Sequence, residues 1–205
     1  MTTPLRIPVL VGSVRRGRQS IRVARFASSR LAGAGADAPL LDLADFDLPI
    51  MEERLYKRDD PPPGLEPFSA SIREADAVVV VSPEYNGSMP GVLKNALDYI
   101  YGEWFRKPVG IVTVSGGGFG GVQVHNHLQL LFLRLKALPV AGMAVSRVSQ
   151  SFSEDGEPME SDYEKAFAGF VETLQWYTRA IGAAQAAEAG GAEPSHTPAD
   201  GRKHG

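Results

Sequence analysis

Ala77-Val78-Val79-Val80-Val81 is a continuous apolar run, and Ser82-Pro83-Glu84-Tyr85-Asn86-Gly87-Ser88-Met89-Pro90-Gly91 follows it directly. A short apolar run without polar alternation is typical of a strand that is buried on both faces, as in a parallel sheet. Pro90 suits the first turn of a helix, where its missing N–H group costs little. Beyond it, apolar side chains recur at helical spacing at Leu93, Ala96, Leu97 and Ile100. The segment is therefore predicted to form a strand, a loop and a helix in succession.

The same alternation extends along the chain in both directions. Further short apolar runs predict strands at residues 5–11, 40–43, 109–114 and 139–145. Apolar spacing predicts helices at residues 20–31, around Ile72, after Gly121 and from Ser161 onward, with loops at 52–64 and 146–160. Five strands interleaved with helices predict an α/β domain with a parallel sheet covered on both faces. Ligands of such sheets bind beyond the carboxyl ends of the strands, where the strand order reverses.

The loop after the first predicted strand is rich in arginine and serine. It reads Gly12-Ser13-Val14-Arg15-Arg16-Gly17-Arg18-Gln19-Ser20 and leads into a helix. The N–H groups and the dipole of a helix start favour an anion, and Arg15 can form a bidentate pair with a phosphate. Neither the dinucleotide fingerprint nor the Walker loop is present. The loop predicts a phosphate site, and the alternative is a turn that caps a helix with its arginines in solvent.

The other two loops also have unusual compositions. Tyr85 offers an aromatic face and Asn86 an amide, which suits a flat heteroaromatic ligand with a polar edge; the alternative is a tight Asn-Gly turn. After Val114 the chain reads Ser115-Gly116-Gly117-Gly118-Phe119-Gly120-Gly121. Glycine permits close approach of the backbone to a ligand, and the alternative is a turn that faces solvent.

Together these loops resemble those of the NAD(P)H-dependent FMN reductase family, a flavodoxin-like group that includes quinone, chromate and azo-dye reductases. The most specific likeness is Ser82-Pro83-Glu84-Tyr85-Asn86-Gly87-Ser88, continued by Pro90, Gly91, Leu93, Lys94, Asn95, Ala96 and Asp98. The arginine-rich loop and the glycine-rich loop also resemble loops of the family, and the three loops occur in the family's order. The similarity spans residues 5–181.

The resemblance implies a flavodoxin-like three-layer sandwich with strand order 2-1-3-4-5, FMN as cofactor, and NADPH or NADH as hydride donor. The FMN phosphate is then expected at Ser13, Arg15, Gln19 and Ser20. The isoalloxazine is expected at Pro83, Glu84, Tyr85 and Asn86, and its pyrimidine edge at Ser115, Gly116, Gly117 and Gly118. No side chain is expected to act as acid or base because the flavin carries the chemistry, and Glu84 is expected to have a structural role.

The implied activity is transfer of hydride from NAD(P)H to flavin and then to free FMN, a quinone or a similar small acceptor. One alternative is a flavodoxin-type electron carrier, against which the three arginines of the first loop argue. Another is a flavin-dependent regulatory protein without turnover, which nothing in the sequence excludes. If Arg16 and Arg18 are free, they favour NADPH over NADH because they can meet its 2′-phosphate.

Composition bounds the remaining possibilities. The 205 residues include no cysteine, which excludes disulfides and thiolate metal sites. The net charge of -3 gives no general attraction to nucleic acid. The start of the chain lacks the features of a secretory signal, and no apolar run approaches the ~20 residues of a membrane helix, so a cytoplasmic protein without a membrane partner is expected. His125 and His127 point to different sides of a helix, so no metal site is expected.

Two further expectations concern organisation and assembly. The reductase domain is predicted at residues 1–182, and the alanine- and glycine-rich residues 183–205 are predicted to form a frayed helix end and a flexible tail. The apolar and aromatic side chains of residues 92–105 exceed what one buried face requires, which predicts a subunit interface. The resemblance implies a homodimer or homotetramer, in which loop 52–64 could reach over a neighbouring flavin.

Overall fold

The computed structural model describes residues 3–191, which contain one five-stranded sheet. Its strands are β1 (Val9–Val11), β2 (Leu40–Asp42), β3 (Val78–Pro83), β4 (Pro108–Val114) and β5 (Leu138–Val145). Neighbouring strands are parallel throughout, and their order is β2-β1-β3-β4-β5. The flavodoxin-like sheet and its strand order are therefore confirmed.

Helices cover both faces of the sheet. They are α1 (Ser20–Gly33), α2 (Leu65–Arg73), α3 (Gly91–Tyr99), α4 (Val122–Arg134), α5 (Val148–Ser151) and α6 (Ser161–Gly191). Apolar residues of α1, α5 and α6 form one core with the sheet, and those of α2, α3 and α4 form the other. This gives the three layers that the alternation of strands and helices predicts.

The valine run of β3 shows why this strand lies at the centre. Val78 and Val80 belong to the core beneath α2, α3 and α4, whereas Val79 and Val81 belong to the core beneath α1 and α6. All four side chains are completely buried. Successive strand residues point to opposite faces, so a run without polar alternation fits only a strand covered on both sides.

The aromatic residues that follow α3 lie inside the subunit. Tyr99 and Trp104 are fully buried, and the Trp104 ring packs 5.1 Å from that of Phe132 on α4. Phe105 is exposed. Most apolar residues at 92–105 therefore belong to the core, and the subunit interface expected there stays a prediction. Large exposed apolar side chains also lie along α4 and just before it, at Phe119, Val122, Leu130 and Leu133.

The segment between β5 and α6 is more ordered than the predicted loop. It contains α5, and Phe152 is buried with its ring 5.2 Å from that of Phe26 on α1. The polar composition of residues 146–160 predicted a loop, and it did not indicate that Phe152 would anchor this segment to α1. Helix α6 begins at Ser161 as expected and includes residues 183–191. Residues 192–205 of the predicted tail lie outside the described part of the chain, and the domain boundary at residue 182 stays a prediction.

Candidate functional site

The loops after β1, β3 and β4 meet at the carboxyl edge of the sheet and surround a shallow cleft of about 210 Å³. Predicted site residues form most of its wall: Arg15, Gln19, Ser20, Pro83, Glu84, Tyr85, Ser115 and Gly116. Gly17, Arg18, Val114 and Val148 complete the lining. The three loops therefore converge where the crevice rule for parallel sheets places a ligand.

Close packing fixes the start of the arginine-rich loop. The N–H group of Gly12 donates to Val81 O of β3 over 2.9 Å. A Cβ atom on Gly12 would lie 2.8 Å from Cδ2 of Leu93, so a side chain there would collide with α3. Next to it, the buried Ser13 Oγ lies 2.7 Å from the hydroxyl oxygen of Tyr85. Ser13 therefore connects the first loop to the second and does not itself line the cleft.

Arg18 ties the arginine-rich loop to the edge strand β2. Its Nη1 donates to Ser13 O over 2.9 Å, and its Nη2 forms an ion pair with Asp42. Only 18% of the Arg18 side chain is exposed. Arg18 is therefore not the free cation that the sequence suggested, because its charge is already matched. Arg15 and Arg16 are exposed and form no ion pair with any residue of the described range 3–191.

The first turn of α1 contains buried polar atoms that lack partners. Among the described residues, neither Ser20 Oγ nor Gln19 Oε1 has a hydrogen-bond partner. Both residues line the cleft, at the helix end where N–H groups have no intrahelical acceptor. A buried hydroxyl left unpaired costs about 1–3 kcal/mol. A phosphate at this helix start would accept from that hydroxyl and from the N–H groups, so the atoms present fit such a group.

The second loop contains a tight turn. Tyr85 N donates to Ser88 O over 2.8 Å, and Ser88 N donates to Tyr85 O over 3.1 Å. Asn86 and Gly87 have φ angles of 52° and 79°, the left-handed values that such a two-residue turn requires. The Asn-Gly turn is thus present, and it places Asn86 at an exposed tip outside the cleft lining. Pro83 and Tyr85 remain on the wall.

Glu84 holds the start of α4. Its Oε2 accepts hydrogen bonds from the N–H groups of Gln123 at 3.0 Å and Val124 at 3.3 Å. The residue that precedes α4 is Gly121, which has a φ of 80° and no side chain with which to cap the helix. Glu84 supplies the missing acceptor from a different loop. It therefore has the structural role that the sequence analysis expected for it.

The glycine-rich loop is fastened to the segment after β5. Val148 N donates to Ser115 O, Arg147 N donates to Gly117 O, and Ser146 Oγ donates to Gly118 O. Gly117 and Gly118 therefore lie against residues 146–148 and not on the cleft wall. Val148, which the sequence analysis missed, does line it. Its position directly after the fifth strand was the available signal, because that carboxyl end belongs to the same edge of the sheet.

The two histidines of α4 have separate neighbours. His125 packs against β5, where a Cβ atom on Gly142 would lie 2.6 Å from its Cε1, and burial lowers the pKa of this imidazole. His127 Nδ1 lies 3.1 Å from Ser88 Oγ, so it contacts the Asn-Gly turn. Within residues 3–191, no group of three or more His, Cys, Asp or Glu side chains is arranged to hold a metal ion.

A parallel sheet of order 2-1-3-4-5, with a helix start and two further loops around one cleft at its carboxyl edge, defines a flavodoxin-like α/β protein. Residues 5–150 match the family model described as NADPH-dependent FMN reductase. The chain belongs to the NADPH-dependent FMN reductase family and is an NAD(P)H-dependent flavin oxidoreductase.

Comparison with individual proteins agrees with this assignment. A quinone reductase of Pseudomonas putida is 32% identical over 179 residues, which cover 81% of this chain and 94% of that protein. An NAD(P)H-dependent FMN reductase of Pseudomonas aeruginosa is 29% identical over 187 residues, which cover 88% and 99%. The solved flavoenzyme NAD(P)H:(acceptor) oxidoreductase FerB of Paracoccus denitrificans has a TM-score of 0.69 at 24% identity, with 86% and 98% coverage, and shares the fold. In the part of the chain described, no helix is long and apolar enough to cross a membrane.

Proposed function

We propose that the protein is a quinone reductase, which passes electrons from NAD(P)H through FMN bound in the cleft to a quinone or a similar small acceptor. The observation that carries the proposal is the unpaired, buried Ser20 Oγ at the start of α1, in a cleft bordered by all three loops. A hydroxyl in that position has no structural partner among the described residues, and a phosphate ester supplies one. The Pseudomonas putida relative, named a quinone reductase, supports the acceptor class.

The phosphate end is proposed to lie on the first turn of α1. Ser20 donates its hydroxyl, and Gln19 can turn its amide N–H toward the same anion, since it now bonds only Gly17 O at 3.1 Å. Arg15 can swing its exposed guanidinium over the loop, because it now rests 6.0 Å from the Tyr85 ring without an ion pair in residues 3–191. Ser13 supports these groups through Tyr85.

The ring system is proposed to lie between the second and third loops. Pro83 and Tyr85 supply one wall, and Ser115 and Gly116 supply backbone groups on the other. The redox chemistry, acceptance of a hydride from NAD(P)H and its return to an acceptor, is supplied by FMN when bound. The residues of this chain hold the ring, leave one face open, and raise the effective concentration of donor and acceptor in turn. Asn86, Gly117 and Gly118 remain predicted contacts that need a movement of their loops.

The test compares two serines of the same helix. Ser20→Ala removes the buried hydroxyl, whereas Ser29→Ala removes an exposed one on α1. We expect the Kd for FMN to rise by about one to two orders of magnitude in Ser20→Ala, the scale of one hydrogen bond to a charged group, and to stay unchanged in Ser29→Ala. Equal FMN affinity in the two variants would contradict the phosphate site. Turnover with free FMN or an azo dye but with no quinone would contradict the acceptor.

The assembly proposed is a homodimer or homotetramer in which α4 contributes to an interface. Leu130 is 67% exposed and Leu133 58% on α4, and Phe119, just before the helix, is 88% exposed, which is unusual for large apolar side chains. Leu130→Glu together with Leu133→Glu should dissociate the assembly in sedimentation experiments. A wild-type mass that is monomeric at every concentration would contradict it. Loop 52–64 reaching a neighbouring flavin is a further part of this proposal.

NADPH is proposed as the preferred donor on the strength of Arg16 alone, because Arg18 is engaged with Asp42. Arg16 is exposed and has no ion pair with any other described residue. Arg16→Gln should raise the KM for NADPH and leave that for NADH unchanged. An equal change in the KM for NADPH and for NADH would contradict this role of Arg16.

A further inference from the structure

Arg147 has an unusual backbone conformation beside the glycine-rich loop. Its φ of 45° lies in the left-handed region, which is uncommon for a residue other than glycine. Hydrogen bonds hold it there: its N–H donates to Gly117 O over 2.9 Å, and its carbonyl accepts from Gln150 N over 2.8 Å. Strained residues of this kind persist where the surrounding structure fixes them, often at functional sites.

The side chain of Arg147 lies against the glycine-rich loop. Its Nη2 is 3.4 Å, and its Cζ 3.8 Å, from the position that a Cβ atom on Gly118 would occupy. The guanidinium of Arg147 is therefore within van der Waals reach of Gly118. Arg147 is exposed, and it forms no ion pair with any residue between 3 and 191. It is a cation without a matched charge that lies against Gly118, a predicted flavin contact outside the cleft wall, and it directly precedes Val148, which lines the cleft.

We infer that Arg147 stabilises the negative charge of reduced FMN, so that the protein binds reduced FMN more tightly than oxidised FMN. This inference rests on the proposed placement of the flavin beside Ser115 and Gly116. Transfer of a hydride adds two electrons and one proton to FMN and leaves the nicotinamide positively charged. The reduced ring system then carries one additional negative charge, and charge near the pyrimidine side of a flavin is a principal means of tuning its potential.

The other charges near the cleft do not perform this task. Arg15 belongs to the phosphate end, and the charge of Arg18 is matched by Asp42. The carboxylate of Glu84 is turned to the N–H groups at the start of α4. Arg147 is thus the described cation that is both unmatched and next to the glycine-rich loop. Because it is exposed, water and salt screen its effect, which limits the expected size to about tenfold in relative affinity.

The test measures the two-electron potential of bound FMN, which does not depend on turnover. We expect Arg147→Gln to weaken reduced FMN about tenfold relative to oxidised FMN, equal to a lowering of the potential by about 30 mV. Oxidised FMN should bind as in the wild type. Arg147→Lys should restore most of the potential because it keeps the charge, and 1 M salt should shrink the difference between wild type and Arg147→Gln.

Arg134→Gln is the matched control. Arg134 is exposed at the C-terminal end of α4, about 18 Å along the helix from Val122, the residue that follows the glycine-rich loop. This variant should leave the potential unchanged. An unchanged potential in Arg147→Gln, or an equal loss in Arg147→Lys, overturns the inference while flavin binding and the proposed function stand. A wild-type protein that binds no FMN overturns both.

Discussion

The hydroxyl oxygens of Ser13 and Tyr85 lie 2.7 Å apart, which joins the loop after β1 to the loop after β3 by one hydrogen bond. Ser13 is completely buried, and its Oγ also accepts from Arg15 N over 3.3 Å. The bond therefore joins the loop proposed to hold the phosphate of FMN to a loop proposed to hold its ring. Ser13 therefore positions both Tyr85 and the backbone of Arg15.

Tyr85→Phe should destabilise the protein by about 1 kcal/mol, because Ser13 loses a buried hydrogen-bond partner. Urea unfolding measures the loss, and FMN titration should show weaker binding as the two loops separate. Tyr56→Phe is the matched control, since the Tyr56 side chain is exposed and its hydroxyl accepts a hydrogen bond from the nearby Arg54. Equal stabilities of the two variants would show that the bond does not hold the loops together.

Arg15→Ala should weaken FMN binding by about 1.5–3 kcal/mol, the scale of a hydrogen bond to a charged group. Arg16→Ala removes the same charge one residue away and should change FMN affinity far less, because Arg15 lines the cleft and Arg16 does not. Isothermal titration of both variants with FMN gives the comparison. Identical losses in the two variants would mean that the loop attracts the phosphate only by its general charge.

Glu84→Ala should loosen the start of α4 and cost about 1 kcal/mol, as expected for the loss of a helix cap. Hydrogen exchange at the amides of Gln123 and Val124 should accelerate, because these N–H groups donate to Glu84. Glu84→Gln keeps an acceptor oxygen and should restore part of the protection. Unaltered exchange at both amides in Glu84→Ala would disprove the capping role.

Lys107 makes the stability depend on pH. Its buried Nζ donates to Arg73 O and Ala75 O, and burial lowers its pKa to about 8, against the opposing effect of Asp76 and Glu103. Between this pKa and the unfolded value of about 10.4, the unfolded chain binds more protons than the folded one. The free energy of unfolding should therefore rise with pH in that window, by up to about 1.4 kcal/mol per pH unit.

The check is urea unfolding of the wild type and of Lys107→Met between pH 7 and 10. The difference in free energy between the two should grow in favour of the wild type above pH 8, because other titrating groups are common to both. Below pH 8, where Lys107 is protonated in both states, the difference should be constant. Parallel curves over the whole range would refute the lowered pKa.

Local sequence patterns predicted the strands, because burial on both faces of a parallel sheet favours apolar runs such as residues 78–81. They also predicted the convergence of the loops, because the carboxyl ends of parallel strands lie at one edge of the sheet. The family motifs likewise directed attention to the cleft. Contacts between distant residues could not be read in this way. Nothing in the spacing of Glu84 and Gln123 indicates that a carboxylate caps a helix 39 residues later.

The same limit applies to the partners of Arg18 and of residues 92–105. A basic loop indicates a positive field. Only the fold brings Asp42 to Arg18, and the ion pair between them neutralises a charge that a ligand could otherwise meet. An aromatic-rich segment indicates burial, but whether its partner is Phe132 of the same chain or a second subunit depends on helix packing. In both cases the residue type could be interpreted from the sequence, but the residue that it contacts could not be identified.

The most direct test mixes FMN-loaded protein with NADPH in the absence of oxygen, follows the flavin absorbance, and then adds a quinone. We expect the flavin bands to bleach with NADPH and to return with the quinone, over repeated cycles. A purified protein that takes up no FMN, or bound FMN that stays oxidised with both NADPH and NADH, would contradict this expectation.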